Sequence, residues 1–380
     1  MSEHFFVPCP RGLEGALGNE LAALGAADIK ATDGGVHCSG YWALCYRVNL
    51  HSRTASRVLW RVATGHYRSE QQIYDAAFAL PWDKWFDVKR TIRVNLVAIK
   101  SPLKSLEFAT LRIKDAVCDK FRKICGERPS VDTREPDMRI HAFLEESRIT
   151  IYLDTSGDAL FKRGVRLQTN IAPLRENLAA GILYLTGWKP GVPLLDPMCG
   201  SGTFLIEAAQ MALNIAPGIG RHFAFEKMKT FAAAKWQAIR AEALAAQKPV
   251  APLPIYGSDL YGDALKAARQ NLELAGLLEA VTLKQANVLE VSAPAEHGVL
   301  VANLPYGERM GDLEELEALY PQLADALKKK FGGWNAYLFT ADLRLPKLVR
   351  LSASKRTPLY NGAIECRLFE YKMVVGGNRK

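Results

Sequence analysis

The 380-residue sequence has no apolar run long enough to cross a membrane and no CxxC pair. Its start, MSEHFFVPCP, lacks a basic stretch followed by an apolar one, so no signal peptide is expected. Its cysteines, Cys9, Cys38, Cys45, Cys118, Cys125, Cys199 and Cys366, are odd in number and scattered. That spacing argues against a disulfide framework or a zinc site and fits a reducing cytoplasm. The histidines form no metal-like cluster, so no metal is expected. Internal repeats and low-complexity segments are also missing. What remains is an ordinary folded composition, 49% hydrophobic and 23% charged, long enough for two or three domains.

The net charge of +9 leans towards a polyanionic partner, and its distribution says more than its size. Between Lys89 and Arg128, 11 Lys and Arg stand against 4 Asp and Glu. Within this stretch TIRVNLVAIK alternates like a half-buried strand, and Leu106, Ala109, Ile113, Val117, Phe121 and Ile124 follow at helical spacing. Lys104, Arg112, Lys114, Lys120, Arg122 and Lys123 fall largely off that stripe. A helix with one face in a core and the other basic is suited to phosphate contacts.

The first half reads as small α+β units: a strand at HFFVPC, a helix around GLEGALGNELAALGA and a strand at GVHCSG. Helical periodicity then runs through residues 41–65, and RITIYLDTSG closes the half. A polar, glycine-bearing segment follows. Beyond it, APLRENLAAGILYLTGW is helical, and PLLDP, PIYGSD, AVTLKQAN, GVLVANLP and NAYLFTAD alternate with helices. That pattern predicts a doubly wound, mostly parallel α/β sheet. Two extended runs joined at Asn361-Gly362 add a hairpin at its end, the arrangement of class I methyltransferases.

LLDPMCGSGTFLIEAA lies at the first strand-to-helix crossing, where open α/β sheets bind ligands. It is neither the dinucleotide fingerprint nor a P-loop, because Thr203 and Phe204 replace the lysine and hydroxyl residue the latter requires. An acidic strand end before a tight glycine turn suits a zwitterionic nucleoside ligand such as S-adenosylmethionine. Asp259, ending the next strand, is placed for the ribose hydroxyls, with Asp263 better placed to cap the helix that follows. Asn287, after the third strand, would meet the adenine amino group. Cys199, inside the cofactor turn, reads as a packing residue rather than a nucleophile.

In VANLPYGERM, an amide, a proline and an aromatic ring stand where a strand ends. Moving a methyl from a sulfonium to an exocyclic amine is a direct displacement. Acceptors from the Asn303 side chain and a main-chain carbonyl in the turn would aim the amine lone pair. Pro305 stiffens the turn and Tyr306 offers a stacking face.

These stretches, with SPLKSLEFATLRIKDAVCDKFR, LDTSGDALFKRGVR, APLREN, NLPYGER and PLYNGAIEC, resemble the bacterial THUMP-domain rRNA guanine-N2 methyltransferases of the RlmL type, in their single-catalytic-domain form. The resemblance implies a ferredoxin-like segment (1–50), a THUMP RNA-binding domain (51–157), a linker (158–172) and a class I methyltransferase domain (173–380). Carried over by position, Asp196, Pro197, Met198, Cys199, Gly200, Ser201, Gly202, Thr203, Asp259 and Asn287 would bind S-adenosyl-L-methionine. Pro173 and Leu174 would close over its methionine end, and Asn303, Leu304, Pro305 and Tyr306 would hold a guanine of 23S rRNA. Leu304 stands where this motif usually has proline, and Asn287 where aspartate is common. Competing readings are a tRNA guanine-N2 enzyme, a DNA adenine-N6 enzyme and a non-catalytic RNA-binding assembly factor.

Overall fold

Alternation along β1 (Glu3–Pro8) sets the layering of the first half: Phe5 and Val7 are buried, while Phe6 stands half-buried on the other face. In the computed structural model, which describes residues 2–163, 174–305 and 313–374, this half continues as α1 (Glu14–Ala23), β2 (Ala27–Thr32), β3 (Gly35–Gly40) and α2 (Trp42–His51). Then come β4 (Leu59–His66), α3 (Glu70–Ala79), α4 (Trp82–Trp85), β5 (Ile92–Ile99), α5 (Leu106–Cys125), β6 (Met138–Glu145) and β7 (Arg148–Asp154). Pairing of β1 with β4 joins everything into one sheet, ordered β2-β3-β1-β4-β7-β6-β5.

A chain of rings lies under one face of this sheet. Phe5 meets Trp42, Trp42 meets Trp60 at 5.0 Å, Trp60 meets Trp85 at 5.3 Å, and Trp82 leads through Phe86 to Phe121 of α5. The helices therefore share that side. The ends of α5 are set by Ser105, which accepts the Phe108 N–H at 3.1 Å, and by left-handed Gly126.

Three expectations need correction. Residues 41–65 are not one helix. Glu20 on α1 takes hydrogen bonds from the Ser52 and Thr54 hydroxyls and from the Arg53 and Thr54 N–H groups, which ends α2 and frees β4 to pair. Of the α5 stripe, Ala109, Ile113, Val117 and Phe121 are buried, but Leu106 and Ile124, at the helix ends, are exposed. Asp263 lies within the first turn of its helix and does not cap it; the capping position is held by Tyr261.

The second half contains α6 (Glu176–Leu185), β8 (Leu194–Asp196), α7 (Thr203–Ala212), α8 (Ala233–Ala245), β9 (Ile255–Asp259), α9 (Gly262–Leu274) and β10 (Thr282–Gln285). It ends with β11 (Gly298–Asn303), α10 (Leu313–Lys330), β12 (Trp334–Thr340), α11 (Leu345–Val349), β13 (Lys355–Asn361) and β14 (Ile364–Lys372). The sheet runs β10-β9-β8-β11-β12-β14-β13, with all strands in one direction except β14, which is antiparallel to both its neighbours. The chain reverses its winding between β8 and β11, so a crevice opens beyond their carboxyl ends.

The halves are bound by buried polar groups. Glu207 of α7 receives Arg163 Nε at 3.1 Å and lies 3.5 Å from Arg53 Nη1. Arg163 also donates to the carbonyls of Leu160 and Arg53, so the chain at 159–163 is packed in place, with Ala159 and Leu160 buried.

Candidate active site

Strand β8 is only three residues long, and its last, Asp196, is fully buried. Burial pushes the Asp196 carboxyl well above the usual range, and the charge of Asp259 adds to it. It accepts the Met198 N–H at 3.2 Å, which starts the turn. Gly200 (φ +53°) and Gly202 (φ +83°) take left-handed conformations that other residues adopt at a cost. A Cβ on Gly202 would also lie 3.3 Å from the Ala268 Cβ of α9. The Ser201 carbonyl accepts from Asn271 at 3.0 Å, so α9 holds the turn from behind. Thr203 then opens α7.

Asp259, at the end of β9, locks the same turn from the side. One carboxylate oxygen accepts the Gly200 N–H at 2.9 Å and the other the Tyr261 N–H at 3.1 Å. Each oxygen keeps lone-pair capacity for a further donor. Cys199 is buried and its thiol is pushed up, first by burial and then by Asp196 and Asp259, which leaves it without thiolate character.

Pro197, Met198, Asp259, Asn287 and Pro305 come together around a cleft of about 310 Å³. The Asn287 oxygen accepts the Leu289 N–H at 3.0 Å, fixing a turn at the end of the third strand. Leu260, Tyr261, Val288, Leu316 and Leu319 also line the cleft and were not foreseen. Leu260 and Tyr261 are largely exposed directly after a strand-end acid. Apolar groups left in water at that position are the signal that would have found them. Leu174 packs in the apolar core and does not line the cleft; Pro173 lies outside the described residues.

Asn303 ends β11, and its side-chain oxygen is buried without a hydrogen-bond partner among the described residues. An orphaned buried acceptor costs roughly 1–3 kcal/mol, so its retention calls for a donor from a ligand. Leu304 is buried, and its N–H is bonded to the Phe339 carbonyl at 2.9 Å, which holds the turn to β12. Pro305 forms part of the cleft wall, and Tyr306 lies outside the described residues. Taken together, the cleft has a carboxylate, Asp259, bonded to the left-handed glycine turn, apolar walls for a flat ring, and Pro305, two residues after the buried Asn303 acceptor. This donor set fits a nucleoside-bearing cofactor next to an amine.

The basic residues singled out from the sequence lie on or just before α5. Arg112 sits 4.3 Å from the ring centre of Tyr74, and Lys120 and Lys123 sit over Phe78. Lys114 pairs with Asp115 and Arg122 with Asp119, whereas Lys104 is exposed before the helix. Among the described residues, no group of three His, Cys, Asp or Glu side chains is arranged to hold a metal ion, and no helix is long and apolar enough to cross a membrane.

Three family signatures match the chain: an RlmL ferredoxin-like domain over residues 4–59, a THUMP domain over 67–154 and an RMKL-like methyltransferase domain over 163–370. A similar sequence is the ribosomal RNA large subunit methyltransferase K/L of Shewanella sp. (strain W3-18-1), 39% identical over 382 residues. That match takes in 99% of this chain and 54% of the other, so the chain spans about half the length of the curated relatives it matches. Two crystal structures share the fold over nearly their whole length. SMU.472, complexed with SAH, is 30% identical with a TM-score of 0.89 and 98% of both chains covered. A possible methylase from Clostridium difficile 630 is 31% identical with a TM-score of 0.89 and both chains fully covered.

Proposed function

Because the chain belongs to the RMKL-like methyltransferase domain family, we propose that it is an S-adenosylmethionine-dependent methyltransferase of large-subunit ribosomal RNA, acting on the exocyclic N2 of a guanine in 23S rRNA. The observation that carries this reading is the buried, unpartnered Asn303 oxygen beside a cleft built on left-handed glycines and Asp259.

The cofactor supplies an electrophilic methyl group on sulfur. Everything else falls to the chain. Gly200 and Gly202 allow close approach of the backbone, and Asp259 would accept from the ribose. Leu260 and Val288, which line the cleft, would flank the adenine. Asn303 and a main-chain carbonyl of the turn hold the amine N–H groups so that the nitrogen lone pair faces the methyl carbon. No strong base would be needed beforehand, because an amine nitrogen carrying an added methyl is acidic enough to lose its proton to water. Tyr306 is assigned the stacking face for the flipped base.

The test is transfer of labelled methyl to protein-free large-subunit rRNA and, separately, to tRNA, followed by nucleoside digestion. Label recovered as N2-methylguanosine from the rRNA is the expected result. Label in N6-methyladenosine, or in tRNA alone, overturns the assignment.

A further inference from the structure

Among the described residues, one face of the N-terminal sheet carries no helix. Strand register sets its side chains in rows: Arg61 opposite Tyr152, Tyr152 opposite His141, and His141 opposite Asn95. The next row runs Thr64, Thr150, Phe143 and Val97. Phe6 lies with its ring centre 4.7 Å from that of His37 on the same face. A sheet face left to water ordinarily alternates to polar residues. Here Val97 is 61% exposed, Ile99 51%, and Phe6 and Phe143 are half-buried. Leu59, Tyr152 and Asp154, on the same face, are buried, but towards β5 apolar groups are held in solvent on a surface that the fold does not cover.

The charge on this face is predominantly positive. Lys30, Arg61, Arg93, Arg139 and Arg148 share it by register. Of its acids, Asp154 is buried and taken by Arg57, Asp28 holds the Ser39 hydroxyl at 2.6 Å, and Glu145 faces Arg148. Among the described residues, Arg139 has only a 3.5 Å bond to the Arg134 carbonyl, and its Nε has no acceptor. Burial lowers the pKa of Arg139, and the neighbouring Arg57 lowers it further. Arg221 is pushed down to about 10, by burial and then by Arg163, so the crowding of cations continues to the catalytic half. Guanidinium groups gathered with too few carboxylates are a site for phosphate.

We propose that this open face binds an unpaired stretch of the RNA substrate, with bases stacked on Phe6 and Phe143 and phosphates along the arginines. The proposal rests on the RNA-directed reading above and adds where, and in what form, the RNA is held. Stacking needs the faces of bases, which a duplex hides and a single strand offers. The surface lies across the sheet from α5, whose Arg112, Lys120 and Lys123 are already occupied with the rings of α3.

The experiment measures anisotropy of a labelled single-stranded RNA of about 12 nucleotides, and of its duplex, with the full chain at stepped salt. Phe143→Ala should weaken single-strand binding by about fivefold to a hundredfold. The combined Lys30→Gln, Arg93→Gln, Arg148→Gln variant should reduce the salt slope by about 2. The combined Lys104→Gln, Lys120→Gln, Lys123→Gln variant should bind nearly as wild type. Unchanged circular dichroism and S-adenosylhomocysteine affinity certify each variant as folded. Open-face variants that bind as wild type, a preference for duplex, or loss confined to the α5 variant would overturn the inference while leaving the proposed activity standing. A wild-type chain that binds S-adenosylhomocysteine but neither RNA would overturn both.

Discussion

Arg163 donates from Nε to Glu207 at 3.1 Å, with both side chains buried, so the first helix after the glycine turn is tied to the chain that arrives from the N-terminal half. Arg53 shares the same carboxylate. Removing one partner of such a buried group leaves uncompensated charge, typically at a cost of about 3–5 kcal/mol. Glu207→Gln should therefore lower the unfolding free energy by roughly 3 kcal/mol, measured by urea titration at pH 7. A value within about 1 kcal/mol of wild type would show that Arg53 and Arg163 find other acceptors.

Asp259→Asn should loosen the cofactor turn. The amide retains one acceptor, but its NH2 would then face the N–H of Gly200 or Tyr261, both now bonded to the carboxylate. Loss of a charge-assisted bond of this kind costs about 1.5–3 kcal/mol, so S-adenosylhomocysteine affinity should fall by roughly tenfold or more. Titration calorimetry reads this directly, and unchanged affinity would remove Asp259 from the site.

Asn303→Ala separates binding of the cofactor from use of the base. Its oxygen, without a hydrogen-bond partner among the described residues, is assigned to the amine, whereas the turn after β8 is held by Asp259 and Asn271. Methyl transfer should fall by about a hundredfold or more, with S-adenosylhomocysteine affinity within about twofold of wild type. Full transfer activity in this variant would dismiss the assigned role.

Asp154 gives a pH prediction. Burial by itself would raise its carboxyl, but His141 beside it and the Arg57 guanidinium outweigh that and hold it below the usual range. A carboxyl with a lower pKa in the folded than in the unfolded chain contributes stability above its unfolded value, about 3.9, and loses it as pH falls towards the folded value. The urea midpoint of wild type should therefore drop more steeply from about pH 5 to pH 3 than that of Asp154→Asn. Parallel curves would mean that Asp154 titrates alike in both states.

The catalytic sheet was legible because each strand end carries its own local signal. An Asp-Pro before glycines marked the turn after β8, and Asn361-Gly362, with Gly362 at φ +66°, marked the closing hairpin. In the first half, β6 has the plainest alternation of all, with Met138, Ile140, Ala142 and Leu144 buried, and it was overlooked beside the basic helix. β4 was obscured for a different reason: the break that frees it is made by Glu20, more than 30 residues away. Leu260 and Tyr261 line the cleft through apolar surface, which forms no polar motif in the sequence. The uncovered sheet face depends on register between strands, which residue order does not print.

The ring chain beneath the N-terminal sheet has a spectroscopic consequence. Of seven tryptophans in the sequence, Trp42, Trp60, Trp82 and Trp85 stand in a series of edge-on contacts of 5.0–5.3 Å. Indoles this close couple their excited states, so near-ultraviolet dichroism will be dominated by that half. In the other half, Trp236 meets this series through Tyr46, which lies 6.4 Å from Trp42 and 5.8 Å from Trp236, while Trp334 meets Phe331. The chain thus carries an intrinsic optical label on one of its two sheets, and the order in which the sheets melt can be followed without attaching a dye.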